Sequence, residues 1–367
     1  MPKVVIVQVI YNTKRFIEPV FNAIFSQTHK NFEVVAIISG NDDGGKEFLA
    51  EKFPQVTIID PGYNIGFAKG HNLVFEKYCA LSRPSDGHPL PSVHRGEGNN
   101  EESTADFFQL VNPDMIMEPD YIEQMLKVFQ DEKVGAASGK LYQISNIQYP
   151  ISNGDKTKII DTTGVTISKS GRARDRGQHE IDMGQYDKDT NIQAVSAAGA
   201  MYRASALDCV KVRRIVRQPA EENRNTIGGS DFEFFDEDFH SYWEDVDLAW
   251  RMSNAGWQCR FTPQAIGYHG RGAGSSKNGY KDLFGFIKHH KALSPRIRQL
   301  NYQNHIFMYI KNSKWFYPQF FVREFFMFFY VLFFEISTFK ILPQMFNLLP
   351  MMWQKRKLIH HSVHSRP

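Results

Sequence analysis

A chain of 367 residues with 42% hydrophobic and 23% charged side chains can bury a substantial core, as one large domain or two, and does not read as disordered. Its net charge of +3 is too small to argue for nucleic acid, and no nucleic-acid-binding motif accompanies it. Cys79, Cys209 and Cys259 make neither an even disulfide set nor a metal cluster by spacing, which fits a reduced, cytoplasmic setting.

The opening run MPKVVIVQVI lacks a small-residue cleavage site and reads as a first buried strand rather than a signal peptide. Strand patterns over 3–11, 32–39, 56–60 and 106–112 alternate with helical patterns over 14–27, 45–53 and 71–80. Such alternation predicts a largely parallel, doubly wound α/β sheet. Residues 82–105 and 212–231 are polar, with Pro and Gly among them, and read as surface insertions. Between them, glycine-punctuated 162–187 suits a hairpin and long loop over a site, and VSAAGAMYRASAL (195–207) is small enough for close backbone approach.

Four stretches carry chemistry. NIGFAKGHN (64–72) follows a strand and runs into a helix, so its N-terminal N–H groups are available to an anion unless the loop is an ordinary turn. In LVNPDMIMEPDYI (110–122), Asn112 and Asp114 flank Pro113, a pattern suited to Mg2+ or Mn2+ carried by a diphosphate. The bland alternative there is an Asx turn with Asp120 capping the next helix. SYWEDVDLAWRMSNAGW (241–257) places Glu244 and Asp245 at the N-terminal edge of a helix, with Asp247 and Arg251 spaced as an i, i+4 pair and Gly256 ending it. A carboxylate there, beside Tyr242 and Trp243, is a candidate general base or metal neighbour. His269, flanked by glycines after a strand-like run, is a ligand candidate, although an isolated His is more often structural.

Composition shifts near the end, where 320–353 hold ten of the 30 Phe. The uncharged run FFMFFYVLFF is roughly half of what a bilayer span needs. Gln319, Arg323, Glu324, Glu335, Ser337 and Thr338 fall within an arc of about 160° on a helical wheel. This predicts an in-plane amphipathic helix at a membrane surface, with Lys355, Arg356 and Lys357 facing anionic headgroups. Packing on the rest of the chain or on a second subunit, and true spanning, are the alternatives.

Taken in order, VIVQVIYNT, NIGFAKGHN, LVNPD, DTTG…DRGQHEID, SAAGAMYRASAL, FDEDFHSYWEDVDLAWRMSNAGW, GYHGRG and NHIFMYIKN resemble glycosyltransferase family 2, most closely its rhamnosyltransferase-like members, over about residues 3–312. The resemblance implies a GT-A fold with a nucleotide-sugar half at about 1–115 and an acceptor half at about 116–312, followed by membrane-associating helices over 313–367. It implies an inverting transferase that moves a sugar, rhamnose in the nearest members, from a dTDP- or UDP-linked donor. The acceptor would be a hydroxyl of a cell-envelope glycan or lipid-linked molecule, and the enzyme would be cytoplasmic and peripheral on the inner face of the cell membrane. Asp245 matches the family's base, with Glu244 beside it. Asp114 and His269 match metal ligands for Mg2+ or Mn2+. Tyr11, Asn12, Ser39, Asp43, Asn64, Gly66, Phe67, Gly70, Asn72 and Asn112 match donor-binding positions. Ser39 stands where relatives carry an Asp that contacts the nucleobase, so nucleotide choice stays open. The same mechanism with galactofuranose, glucose or N-acetylglucosamine, or a non-catalytic sugar-nucleotide or glycan binder, are the competing readings.

Overall fold

The computed structural model describes residues 1–40, 43–79, 104–144, 146–152, 155–215, 231–270 and 283–364. Most of both expected insertions therefore lies outside the described residues. The strands are β1 (Val4–Ile10), β2 (Phe32–Ile38), β3 (Thr57–Ile59), β4 (Phe107–Leu110), β5 (Met115–Met117), β6 (Val134–Gln143), β7 (Ile160–Thr162), β8 (Val165–Ile167), β9 (Ala173–Asp175), β10 (Asn191–Ile192), β11 (Met201–Arg203), β12 (Val212–Arg213), β13 (Phe232–Glu233) and β14 (Gln258–His269). The helices are α1 (Lys14–Phe25), α2 (Gly45–Lys52), α3 (Gly66–Tyr78), α4 (Tyr121–Val128), α5 (Ala204–Val210), α6 (Glu244–Asn254), α7 (Leu283–Ala292), α8 (Pro295–Asn312), α9 (Pro318–Phe334) and α10 (Leu342–His364).

Ten strands form one sheet in the order β10-β14-β6-β11-β4-β1-β2-β3, with β5 paired to β14 and β7 to β6. Strands β3, β2, β1 and β4 run parallel, and β11 is antiparallel to both β4 and β6. Beyond it, β6 and β14 are again parallel to each other. The expected α/β class and parallel first half are present; the reversal at β11 makes the whole sheet mixed.

Alternation along β1 explains its uninterrupted apolar run. Val5 and Val7 face a core shared with α3, whereas Val4, Ile6 and Ile10 face the layer of α1 and α2. A strand covered on both faces has no polar face to show. Gly70 of α3 lies where a Cβ would approach Val9 Cγ2 to 2.9 Å, so its lack of a side chain lets α3 sit down on the sheet. Because β1, β2 and β4 are parallel, Tyr11, Asn12, Ser39, Asn112 and Asp114 all follow their carboxyl ends, the edge where open α/β sheets bind ligands.

The C-terminal segment corrects the sequence reading in its detail. The helix breaks at Glu335, passes through a 3-10 stretch (Ile336–Ile341) and turns back as α10, a 111° bend. No single described helix is long and apolar enough to cross a membrane, though this bent pair passes by length and composition. The polar arc mostly faces the protein, not water. Arg323 Nη1 lies 2.9 Å from His305 Nδ1, and Glu324 lies 3.2 Å from the same nitrogen. Glu335 accepts from Tyr330 at 2.9 Å and from His290 at 3.0 Å, and Thr338 is buried; only Gln319 of the arc is exposed. Phe325, Phe326 and Phe333 are 60%, 66% and 71% exposed. The periodicity located two faces correctly, but the buried partners on α8 claimed the polar one.

Lys355 and Arg356, expected at headgroups, are also turned inward. Lys355 Nζ donates to Glu233 (2.5 Å), Asp236 (2.6 Å) and Asp238 (2.9 Å), while Arg356 donates to the Ile310 and Ser313 carbonyls. Lys357 alone of the three is exposed. Leu348, Met351 and Met352 of α10 join the same core as α3, so the segment beyond residue 312 packs on the sheet-bearing part of the chain.

Candidate active site

A cavity of about 810 Å³ opens over the carboxyl edge of the sheet, lined among others by Phe67, Asn112, Asp114, Asp245 and His269. Asn112, Pro113 and Asp114 form the turn between β4 and β5, closed by the Met115 N–H donating to the Asn112 carbonyl at 3.1 Å. Strand β5 pairs antiparallel with the end of β14, which puts Met115 opposite His269. The turn and the histidine are thus joined by sheet register, not by sequence proximity.

His269 is buried and held from both sides. Its Nε2 lies 3.2 Å from Asp114 Oδ1 and 3.4 Å from the Asn112 amide nitrogen, and its Nδ1 donates to Asp161 Oδ2 at 2.9 Å. Burial alone pushes the imidazole pKa down, but the hydrogen bonds and charges of Asp114 and Asp161 outweigh it and raise it to about 9. Burial likewise works to raise Asp114, whereas its bond to His269 leaves it below the usual aspartate value. Asp161, fully buried on β7, opens the DTTG block that resembles the family, but the sequence assigns it no role.

This donor set fits a divalent cation. One carboxylate and one imidazole nitrogen face the cavity together, and the second imidazole nitrogen carries a carboxylate partner, the usual arrangement behind a metal-bound histidine. No group of three or more His, Cys, Asp and Glu side chains among the described residues offers a full cage. Two protein ligands suffice when the ion's remaining positions go to water and substrate oxygens.

Across the cavity stands the start of α6. Asp245 Oδ2 accepts from the Ala197 N–H at 3.0 Å and its Oδ1 from the Val246 N–H at 2.8 Å. Burial raises its pKa, the charge of Asp175 on the β8–β9 hairpin adds to the rise, and those two N–H groups oppose it. Glu244 is pushed up further, by burial first and then by the charge of Asp245, and its Oε2 is buried with no hydrogen-bond partner. Asp247 has a different task. It meets Arg251 at 3.1 Å, Lys311 at 2.8 Å and the Asn312 amide at 2.7 Å, all buried. The acid cluster is therefore two cavity carboxyls and one anchor that locks α6 to α8.

The segment before α6 is strained. His240, Tyr242 and Trp243 have φ of 61°, 71° and 74°, conformations that cost non-glycine residues on the order of 1–3 kcal/mol each. Asn304 of α8 holds them there: its amide donates to the Phe239, Ser241 and Tyr242 carbonyls at 2.9, 3.0 and 2.9 Å. Asn301 accepts from the Trp243 indole at 2.9 Å. NHIFMYIKN was visible as a motif; its service to the α6 loop was not.

The glycine loop differs most from expectation. Ser39 Oγ donates to Asn64 Oδ1 at 3.0 Å and accepts from the Ile65 N–H, while the Gly66 N–H donates to Asn64 Oδ1 at 3.0 Å. The Phe67 and Ala68 N–H groups both donate to the His240 carbonyl. The α3 N-terminus thus spends these donors inside the protein and does not offer them to an anion. Gly66 adopts φ of +77°, and a Cβ there would strike the His240 ring. Asn72 and Gly70 face the interior; the Asn72 amide exchanges two hydrogen bonds with the Phe235 backbone. Asp43 accepts from the Lys14 and Gly45 N–H groups at the starts of α1 and α2. Asp120 stands at the α4 N-cap, but its carboxylate accepts from Gln124 rather than a backbone N–H. Of the matched donor positions, Phe67 and Asn112 line the cavity, and Tyr11 and Asn12 are exposed at its strand edge.

A family model described as glycosyltransferase-like family 2 matches residues 2–278. The chain belongs to this family. No curated protein matches the chain. Among solved structures, GalNAc-T7 with UDP, GalNAc and Mn2+ is 8% identical with a TM-score of 0.50, over 85% of this chain and 48% of that one. The mannosyltransferase PcManGT from Pyrobaculum calidifontis, in complex with GDP-Man and Mn2+, is 13% identical over 99% and 86%, with a TM-score of 0.46. S. aureus TarS is 12% identical over 85% and 44%, with a TM-score of 0.43. The chain spans less than half the length of the first and last of these. The glycosyltransferase fold of GT-A type is common ground.

Asp161→Asn is expected to weaken Mn2+-dependent nucleotide binding by about 10–100-fold, the usual effect of losing the carboxylate behind a metal-bound histidine. Calorimetric titration of UDP and dTDP with and without Mn2+ reads it. Asp114→Ala and His269→Ala should do the same and leave metal-free binding alone; equal affinities for wild type and all three variants would remove the metal assignment.

Proposed function

We propose that this glycosyltransferase is inverting, with Asp245 as general base and Asn112, Asp114 and His269 receiving the diphosphate end of a nucleotide-sugar donor. One observation carries the reading: the raised, cavity-facing carboxyl of Asp245 and the Asp114–His269 pair line the same cavity from opposite elements. Asp245 deprotonates the acceptor hydroxyl as it attacks the anomeric carbon, and the backbone donors of Ala197 and Val246 hold the carboxylate in one orientation. Asp114 and His269 would hold a Mg2+ or Mn2+ ion, which would supply neutralisation of the charge that develops on the leaving diphosphate. Burial, and then the charge of Asp245, shift Glu244 toward its neutral form and so oppose a second negative charge in the site. The sugar is rhamnose on the resemblance of the motifs, and the acceptor a hydroxyl of a lipid-linked or cell-envelope glycan. Transfer assays with a panel of dTDP- and UDP-sugars, each with Mn2+, Mg2+ or EDTA, test the donor; activity undiminished after exhaustive EDTA treatment defeats the metal's part.

The pH profile carries a sign. A base with a raised pKa gains its proton-accepting form only above the ordinary aspartate range, so kcat/KM should climb along a limb centred above that range. Asp175→Asn removes a charge that opposes ionisation of Asp245 and should move the limb to lower pH. An unmoved limb would separate it from Asp245.

The same reading places the protein at the inner face of the cell membrane, with the outward aromatic face of α9 as the contact. Because Lys355 and Arg356 are engaged internally, flotation with anionic vesicles should depend little on salt. Failure to float at any salt concentration argues for packing against a partner instead.

A further inference from the structure

His240, in the loop that leads into α6, has φ of 61° and ψ of −61°, and across it the Ser241 N–H donates to the Phe239 carbonyl at 2.6 Å. This is the rare, strained form of the three-residue γ-turn. Tyr242 and Trp243 follow at positive φ, so three of the four residues before Glu244 are strained. Such strain persists only where the surroundings over-determine it, and it gathers at sites that need a fixed geometry.

Two elements depend on the loop. The His240 carbonyl accepts from the Phe67 and Ala68 N–H groups at 3.0 and 3.2 Å, which ties the first turn of α3, and the cavity-lining Phe67, to it. On the other side Trp243 is the N-cap of α6, at φ of 74° and ψ of −6°, and Glu244 and Asp245 come next. One side chain keeps the loop in this shape. The fully buried Asn304 amide shares its two hydrogens among three loop carbonyls, and its oxygen accepts from Gln303 at 3.2 Å.

We infer that Asn304 is a positioning residue for the transfer reaction: by holding the strained loop it sets the α6 N-terminus, and so Asp245, against the donor side of the cavity. The inference rests on the transferase reading of that cavity and adds a residue of α8 that acts through the loop alone. A second grip narrows its task. Asp247 already locks the body of α6 to Lys311 and Asn312. Asn304 therefore decides how the first residues of α6 enter, where Asp245 must keep the Ala197 N–H at 3.0 Å. Without the amide, three carbonyls lose their donor and the loop relaxes toward unstrained backbone. That changes the reach of Asp245 and leaves the Asp114–His269 side in place. Displacement of a reacting group by about 1 Å can cost about 10²-fold in rate.

The test uses the full chain carrying Asn304→Leu, which keeps the side chain's size without its donors, or Asn304→Ser, which keeps one donor. Single-turnover transfer should fall about 10–100-fold for Asn304→Leu and less for Asn304→Ser, while Mn2+-dependent nucleotide affinity stays near the wild-type value. His240→Gly supplies a second readout, because glycine reaches positive φ without a Cβ to clash and needs less holding. In the His240→Gly background the loss caused by either Asn304 substitution should shrink at least about threefold, a coupling that a double-mutant cycle measures. Equal losses in both backgrounds, or full turnover in folded Asn304→Leu protein, overturn the inference. So does a parallel fall of turnover and nucleotide affinity in both Asn304 variants, which would make the residue structural only. A wild type inactive with every donor removes the transferase reading itself, and this inference with it; an active wild type keeps the two failures apart.

Discussion

Asp245→Asn is expected to lower kcat by about 10²–10⁴ while leaving donor affinity nearly unchanged, the loss associated with removing a positioned proton acceptor. The amide keeps the side chain's shape and can still accept from one of the Ala197 and Val246 N–H groups, so the α6 start should hold its place. Glu244→Gln supplies the contrast. Burial and the neighbouring charge favour the neutral form of Glu244, whose shape glutamine shares, so turnover should stay within about tenfold of wild type, well short of the loss of a base. Turnover of the Asp245→Asn variant above a tenth of wild type, or a larger loss from Glu244→Gln, would falsify the assignment of the base. Single-turnover measurements at saturating donor separate chemistry from release.

Lys355→Met should cost about 3–5 kcal/mol of folding stability, a large share of the 5–15 kcal/mol that domains typically possess. The lysine is buried against three carboxylates, and its charge is retained against the cost of burial by Asp236, Glu233 and Asp238. Removing it leaves Glu233 and Asp236 buried, with Lys311 the remaining cation on Asp236 at 2.5 Å. Glu233, which burial already pushes up to about 7, would take a proton in the variant, and that protonation limits the loss at low pH. The deficit relative to wild type should therefore grow as pH rises from 5 to 8. Urea midpoints across that range measure it, with exposed Lys357→Met as the control expected within about 0.5 kcal/mol of wild type. Equal midpoints for Lys355→Met and wild type would show that this network does not fasten α10. A chain ending at residue 341 should fold poorly for the same reason, which limits what a truncated enzyme can report about membrane binding.

Much of the α/β half was legible because its signals are local. The apolar runs of β1 and β2, the spacing of α1, and Gly256 after α6 each act within a few residues, and each element formed within a residue or two of expectation. The Asp247–Arg251 pair was legible too, since i, i+4 neighbours on a helix must meet. By contrast, His269 and Asp161 are 108 residues apart, and nothing local in "IIDTTG" marks a carboxylate destined for a histidine. The helix N-terminus at Gly66 misled for the same reason. The expected free N–H groups are not there: the helix starts at Gly66, five residues before the expected 71, and the His240 carbonyl that takes the Phe67 and Ala68 N–H groups arrives from a distant part of the chain.

The sequence by itself determined the family, the first parallel strands and Asp114, Glu244 and Asp245 as acids of the cavity, because those depend on residue type and short-range spacing; Asp175 came to the same cavity only through the fold. Only the tertiary structure decided how the acids divide, with Asp247 drawn into the Lys311–Asn312 contact and Glu244 and Asp245 left to the cavity. It also decided which way α9 faces. A helical wheel defines a polar and an apolar side but not which one the protein needs; here His305 and the α8 surface offered buried polar partners, so Arg323 and Glu324 turned inward and the phenylalanines were left facing out.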